Sequence, residues 1–300
     1  MSAAQPRRTY WHLEDAKRKP SEYDIATSKL LFYPGRGFEV DTPISGWYAK
    51  YQAGSALKCK DWDAFRDPRE TTYTKYTELQ KNKETFVDGL LSALDATRYD
   101  AGLSASWLDT LSQVLPPLRY PVHGLQMISA YVGQMAPSGR IVICGALQAA
   151  DEMRRIQRLA YRMRQIQETH PQFGADAKQR WGKDSMWQPL REAIERLLVT
   201  YDFGEAFVAL NLVLKPAFDE LFMVRFAQLA AERGDDALAT IFMSLREDCA
   251  WHQDWSKALA NLVAEESATN ADAIRDWIVR WQAPVQRAVD AFEPLFAEEH

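Results

Sequence analysis

The sequence contains no block of charge of one sign and only three cysteines, and both features narrow the class of protein. Its 300 residues include 36 Lys and Arg and 41 Asp and Glu, mixed along the chain, for a net charge of −5. This balance argues against a surface for nucleic acid or anionic membrane. Cys59, Cys144 and Cys249 are odd in number and widely spaced, which favours a reduced, cytoplasmic protein.

Long apolar runs are also missing. The longest stretch without a charged residue, 120–139, contains two prolines, a histidine and several Gln and Ser residues. It therefore predicts a buried helix rather than a membrane span. Residues 1–20 contain no apolar run of the kind that marks a secretory signal. The chain shows no internal repeat and no low-complexity segment.

Residues 1–69 are rich in helix breakers and yet rich in aromatic residues. A disordered tail is usually poor in aromatic side chains. We therefore predict an irregular N-terminal arm that covers an apolar surface, either on its own body or on another chain. Because Trp and Tyr dominate interface hot spots, the candidates for partner contact are Tyr10, Trp11, Phe32, Tyr33, Trp47 and Tyr48.

Residues 70–300 show helical periodicity and no convincing alternation of the kind that marks a strand. The class is predicted to be all-α, a bundle of long antiparallel helices. A kink is expected beside Lys215, because Pro216 follows it inside an apolar helix. The helices are predicted over 70–97, 104–114, 122–135, 139–170, 184–199, 203–233, 235–265 and 272–296.

The stretch EDCAWHQDW, residues 247–255, places a thiol and an imidazole three positions apart, which is metal-ligand spacing. Cys249 and His252 lie in a seam of apolar residues that recur every three or four positions, so both face inward. A lone histidine on such a face is more often a hydrogen-bonded core residue than a ligand. A closed zinc site needs four ligands, and no other Cys or His lies in register.

Three further charged residues lie in line with apolar positions. Glu152 and Arg155 share one face of their helix, either as an exposed salt bridge or as buried groups. Lys215 lies in a helix that is apolar on nearly every side, so it needs a buried partner or a route to water. Residues 110–150 contain no Asp or Glu, so a helix there donates no carboxylate.

Five segments carry a resemblance to one family over almost the whole chain. The chain resembles the β subunit of the hydroxylase of soluble diiron multicomponent monooxygenases, the toluene (aromatic) and alkene monooxygenases. The resemblance implies a ferritin-like, ribonucleotide-reductase-like bundle over 70–300. The segments are KPSEYD (19–24), DWDAFRDPRETTY (61–73), LQMISAYVGQMAP (125–137), DFGEAFVALNLVLKP (202–216) and WSKAL (255–259).

The resemblance also implies that most positions of the iron ligands have been replaced. The catalytic α subunit of this family has two DE-x-x-H motifs and two lone glutamates. Here the first motif retains Glu152 and has Arg155 for its histidine; the second has Cys249 for its glutamate and retains His252. Lys215 stands at one lone glutamate, and the other falls near 120–124. We therefore expect no metal in this chain and a buried ion-pair cluster in its place.

The implied function is that of a non-catalytic structural subunit. It would scaffold an α subunit that holds two irons, in a hydroxylase of two αβγ units that oxidises small hydrocarbons with O₂ and electrons from NADH. An effector protein, a ferredoxin and a reductase would complete the system. Two alternatives stay open: an autonomous ferritin-like metal oxidase, and a stand-alone helical interaction protein.

Overall fold

The computed structural model describes residues 13, 19–27 and 42–297. Within these residues the chain forms α-helices, short 3₁₀ and π-helical turns, and no strand, so the predicted all-α class is confirmed. The helices are α1 Glu22–Thr27, α2 Pro43–Tyr48, α3 Tyr73–Thr97, α4 Ala105–Met135, α5 Gly139–Thr169, α6 Ala177–Lys183, α7 Gln188–Leu198, α8 Phe203–Phe207, α9 Lys215–Asp219, α10 Phe226–Glu232, α11 Asp236–Glu266, α12 Ala268–Asp290 and α13 Glu293–Phe296.

The hairpin of α4 and α5 is the most extensive contact between two helices in the described part of the chain. Ser104 and Ser138 cap the two helices, each accepting a hydrogen bond from a backbone N–H of the first turn. Gly133 and Gly145 face each other where the helices cross, and the missing side chains let the two backbones approach closely.

The predicted break between residues 114 and 122 is wrong, because helix α4 is continuous through this stretch. Pro116, Pro117 and Pro121 lie inside one continuous helix of 31 residues. A proline removes one backbone hydrogen bond and commonly kinks or ends a helix. All three prolines are buried in this helix, which packs against α5, α6 and α7. Tertiary packing therefore outweighs the local cost.

Residues 203–232 form one helix in which α8, α9 and α10 are joined by the π-helical turns Val208–Leu214 and Glu220–Arg225. Pro216 cannot donate a backbone hydrogen bond, and the wider turns lie on both sides of it. The sequence predicts a kink beside Lys215. The helix shows two π-helical turns there, one before and one after the segment that contains Pro216. Lys215, at the start of α9, is thereby placed at the centre of the bundle.

The described part of the N-terminal arm packs against the bundle. Tyr23 in α1 is buried, and Asp24 forms ion pairs with Arg66 and Arg140. Helix α2 lies on α4, where Trp47 Nε1 donates to Tyr131 Oη at 3.0 Å. No helix in residues 13, 19–27 and 42–297 is long and apolar enough to cross a membrane.

Candidate functional site

Two cations and two carboxylates form a buried ion-pair cluster between α5, α9 and α11: Glu152, Arg155, Lys215 and Asp219. Lys215 Nζ lies 3.0 Å from Glu152 Oε1 and 2.7 Å from Asp219 Oδ1. Arg155 Nη1 lies 3.1 Å from both Glu152 Oε2 and Asp219 Oδ1. Each cation thus bridges both carboxylates, and none of the four residues is more than 3% exposed.

The charges in this cluster stabilise one another. Burial lowers the pKa of Lys215, but the carboxylates of Asp219 and Glu152 outweigh it and the pKa is raised. Burial by itself would raise the pKa of Asp219, but Lys215 and Arg155 outweigh burial and the pKa is lowered, so the carboxyl group stays ionised. Arg155 also donates through Nη2 to Cys249 Sγ at 3.0 Å. Burial raises the pKa of the Cys249 thiol to about 12, which keeps it protonated at neutral pH.

His252 lies beside the cluster and makes its hydrogen bond to another carboxylate. Its Nε2 is 2.9 Å from Asp151 Oδ2. Asp151 also accepts hydrogen bonds from Tyr76 Oη and Gln80 Nε2, both at 2.8 Å. Helix α3 therefore supplies the partners that hold this carboxyl in place. Of the alternatives from the sequence, a hydrogen-bonded core histidine describes His252, whose exposure is 2%.

The structure links four of the five sequence-predicted positions, Glu152, Arg155, Lys215 and Cys249, and places His252 beside them. It adds Asp219 to the cluster and Asp151 as the partner of His252. The Glu152–Arg155 pair is fully buried, so the exposed salt bridge is excluded. Asp219 lies four residues after Lys215, a spacing that favours a contact on one helix face. That spacing was the only signal in the sequence that could have found it.

Helix α4 contributes no carboxylate at this level of the bundle, since residues 110–150 contain no Asp or Glu. The hydrogen bond from Gln148 Nε2 to Ser129 Oγ and the contact of Gly145 with Gly133 fix the antiparallel register of α4 and α5. In this register, Val122 and Leu125 lie opposite the turn that holds the cluster. Both are completely buried. Val122 lies within 120–124, the stretch predicted to contain the second lone glutamate position, and that assignment stays a prediction.

The residues of this cluster do not fit a pair of irons. Such a centre needs carboxylates that are free to bridge and two Glu-x-x-His pairs, whereas both carboxylates here are held by Lys215 and Arg155. The Nδ1 atom of His252 is buried without a hydrogen-bond partner in the described part of the chain. No group of three or more His, Cys, Asp or Glu residues that could hold a metal occurs in that part.

The predicted interface aromatics divide into two groups. Tyr10, Trp11, Phe32 and Tyr33 lie outside the described residues. Trp47 and Tyr48 lie on α2 and contact α4: Tyr48 Oη donates to the carbonyl oxygen of Gln134 at 3.2 Å. Trp47 retains 36% exposure and packs against the rings of Tyr51 and Tyr201, so part of its surface stays open.

Comparison with known proteins places this arrangement in a family. A family model described as methane/phenol/alkene hydroxylase matches residues 47–267. The chain belongs to this family. A relative from Ectopseudomonas mendocina, the toluene-4-monooxygenase hydroxylase component subunit beta, is 38% identical over 302 residues, covering 98% of this chain and 92% of the relative. The resemblance found in the sequence is thereby confirmed.

Two further comparisons agree with membership of the methane/phenol/alkene hydroxylase family. A solved structure of toluene 4-monooxygenase with toluene in its resting active site contains a chain that superposes with a TM-score of 0.92. It has 36% identity and covers 99% of this chain and 100% of that chain. The propane 2-monooxygenase hydroxylase small subunit of Rhodococcus jostii (strain RHA1) is 26% identical over 97% of this chain and 82% of the relative. The predicted ferritin-like bundle is confirmed.

The Asp151–His252 pair predicts an unusual pH dependence in this hydroxylase-family chain. Burial and the nearby Asp248 raise the pKa of Asp151 to about 7 from 3.8. Burial and the charges of Lys215 and Arg155 lower the pKa of His252 to about 3 from 6.5. Because the folded state holds the Asp151 proton more tightly, this group makes stability fall as the pH rises from about 4 to 7. Because the folded state holds the His252 proton less tightly, this group makes stability increase as the pH rises from about 3 to 6.5. The two contributions therefore oppose each other between about pH 4 and 6.5.

Asp151→Asn removes one of these contributions. Between about pH 4 and 6.5 the free energy of unfolding should then rise with pH more steeply than in the wild type, by up to about 1.4 kcal/mol per pH unit. Urea unfolding followed by circular dichroism across this range measures the slope. The control is Asp276→Asn, at an exposed position on α12, which should leave the wild-type slope unchanged. Equal slopes in wild type and Asp151→Asn would contradict the two opposed shifts.

Proposed function

We propose that this chain is the non-catalytic structural β subunit of the hydroxylase of a multicomponent diiron monooxygenase. The observation that carries the proposal is similarity over nearly the full length to the β subunit of toluene-4-monooxygenase, in a chain whose cluster is filled by ion pairs. Its role is to scaffold an α subunit that holds two irons. The complex would hydroxylate or epoxidise small aromatic or alkene hydrocarbons with O₂ and electrons from NADH.

The same proposal interprets Glu152, Arg155, Lys215, Cys249 and His252 as former ligand positions. Two irons supply positive charge to the carboxylates of such a bundle, and here a lysine and an arginine supply it covalently. The mechanical consequence is that α5, α9 and α11 are held together by side chains alone. This chain can then present a fixed surface to its partner whether or not iron is loaded elsewhere.

We further propose that the partner complex consists of two αβγ units, served in the cytoplasm by an effector protein, a ferredoxin and a reductase. The substrate pocket would lie in the α subunit. Relatives of this chain belong to toluene and propane systems, which supports a substrate choice made outside the β subunit.

The arm, residues 1–69, is proposed to dock on a partner through part of its length. The short helix α1 packs on the chain's own body, because Tyr23 is buried and Asp24 forms an ion pair with Arg140 of α5. The contact with a partner is therefore assigned to other positions. Trp47 supports this assignment, because its ring is partly open at the surface. Alanine at Tyr10, Trp11, Phe32 and Tyr33 together should weaken recovery of the complex while leaving α1 intact.

Metal analysis combined with co-purification tests the proposal. The purified chain alone should contain far less than one iron or manganese per chain. Co-expressed with a subunit that bears two intact Glu-x-x-His motifs, it should co-purify as a complex whose iron is lost when those motifs are changed. The control is Cys249→Ser in this chain, which should leave the iron content of the complex unchanged.

Two results would contradict the proposal. Near-stoichiometric metal in the isolated chain would favour the autonomous oxidase. Failure to co-purify with any such subunit would favour the stand-alone interaction protein.

A further inference from the structure

A groove of about 710 Å³ runs between α3 and α11. Phe86 stands on its α3 side and Met243 on its α11 side, and the smaller Asn82 and Ala250 also line it. Phe86 is 56% exposed and Met243 is 63% exposed. Two large apolar side chains therefore face one surface depression without being covered by the described part of the chain.

The apolar surface continues along α3 with helical spacing. Leu79 and Phe86 are seven residues apart and share one face of the helix, with the polar Asn82 between them, and Leu79 is 47% exposed. On α11, Met243 and Ala250 are seven residues apart and share a face in the same way. Two helices that present such faces side by side form a groove of the kind that receives a third helix.

The charges around the groove are balanced except for one. Lys83 Nζ lies 2.5 Å from Asp248 Oδ1 and 3.4 Å from Glu247 Oε2. Arg154 Nη2 lies 2.5 Å from Asp248 Oδ2, so two cations face these two carboxylates. Arg246 also lines the groove, is exposed, and forms no ion pair with any residue in 13, 19–27 and 42–297. A complementary occupant therefore carries a carboxylate that meets Arg246.

We propose that this groove is a docking site for an amphipathic helix of the iron-bearing subunit, with its apolar face on Phe86 and Met243 and a carboxylate beside Arg246. The inference rests on the proposed function, which supplies a helical partner. A second copy of this chain is a poorer occupant. A twofold interface pairs the same surface with itself, so it would add a second unpaired Arg246, and the carboxylate it brings to the groove, Glu247, already pairs with Lys83.

Binding of this chain to the purified subunit that bears two intact Glu-x-x-His motifs tests the inference. Met243→Glu places a charge between the apolar walls, and Arg246→Glu reverses the complementary charge. Each substitution should weaken binding and raise the Kd by about tenfold or more. The matched control is Val279→Glu on α12, at a side chain that is 65% exposed; its Kd should equal that of the wild type. Because all three positions are exposed, circular dichroism should show the same fold in each variant.

The possible outcomes distinguish a failure of the proposed function from a failure of the groove assignment. If the wild-type chain does not bind that subunit, the proposed function fails, and this inference fails with it. If the wild type binds and both groove variants bind equally well, the proposed function stands and the groove assignment is overturned. A wild-type chain that dimerises alone, and that Met243→Glu returns to a monomer, would overturn the assignment in favour of a second copy.

Discussion

Lys215→Met is expected to lower the free energy of unfolding by about 3–5 kcal/mol. Lys215 is 2% exposed, and its Nζ is within 3.0 Å of both Glu152 and Asp219. The cluster is neutral with two cations and two carboxylates, so the substitution leaves one buried negative charge without compensation. Methionine retains most of the length of the side chain, which keeps the loss of packing small. Urea unfolding followed by circular dichroism measures the change.

A double substitution separates charge from packing. In Lys215→Met with Asp219→Asn, the cluster is again neutral, with Arg155 facing Glu152. The double variant should therefore lose less stability than the sum of the two single variants, with a coupling of about 1–3 kcal/mol. Lys257→Met, at an exposed position on α11, is the matched control and should change stability by less than about 0.5 kcal/mol. Additive losses, or a Lys215→Met variant as stable as the wild type, would rule out mutual neutralisation.

The sequence was sufficient to find Glu152, Arg155 and Lys215, because helical periodicity places each of them in line with apolar residues. It did not find Asp219, because the only local signal, a spacing of four residues from Lys215, occurs equally in ion pairs on the surface of a helix. The contact of Lys215 with Asp219 lies within α9, but whether that pair is buried, and whether it reaches Glu152, depends on how α9 lies against α5. The same holds for Asp151, whose hydrogen bonds come from Tyr76 and Gln80 on α3.

The arginines of α5 show the limit of periodicity more clearly. Arg154 and Arg158 flank Glu152 and Arg155 in the sequence, where charged residues commonly face solvent, yet both are buried. Helix α3 covers them and supplies Glu84 as a shared partner. A charged face is buried only when another element brings the opposite charges. Single-helix patterns carry no information about that second element.

The predicted helix boundaries were wrong where the local preference of the sequence and the tertiary packing favour different structures. Pro116 and Pro117 locally favour the end of a helix, and α4 continues through them because their rings are buried. Family resemblance gave the bundle and the subunit class. The docking groove at Phe86 and Met243 could not come from either source, since it depends on the spacing between α3 and α11.

Gly145→Ala is expected to lower the free energy of unfolding by about 3 kcal/mol. A Cβ at this position would lie 2.6 Å from Gly133 Cα and 2.8 Å from Gly133 N. These are backbone atoms of α4, which cannot turn away as a side chain can. The two helices would have to separate along the hairpin, which loosens the register that places α4 against the ion-pair cluster. Thermal and urea unfolding measure the loss.

The matched control is Gly89→Ala on α3, where an added Cβ meets no atom within 4 Å. Gly89 is exposed inside a helix, so alanine there should stabilise the chain by about 0.5–1 kcal/mol through helix propensity alone. The two substitutions are chemically identical and both lie within helices. Only the Cβ at position 145 meets the backbone of another helix, so the two changes in stability should differ in sign. The size of that difference measures how closely α4 and α5 approach each other. Stabilisation of similar size at both positions would mean that the two backbones do not meet at Gly145.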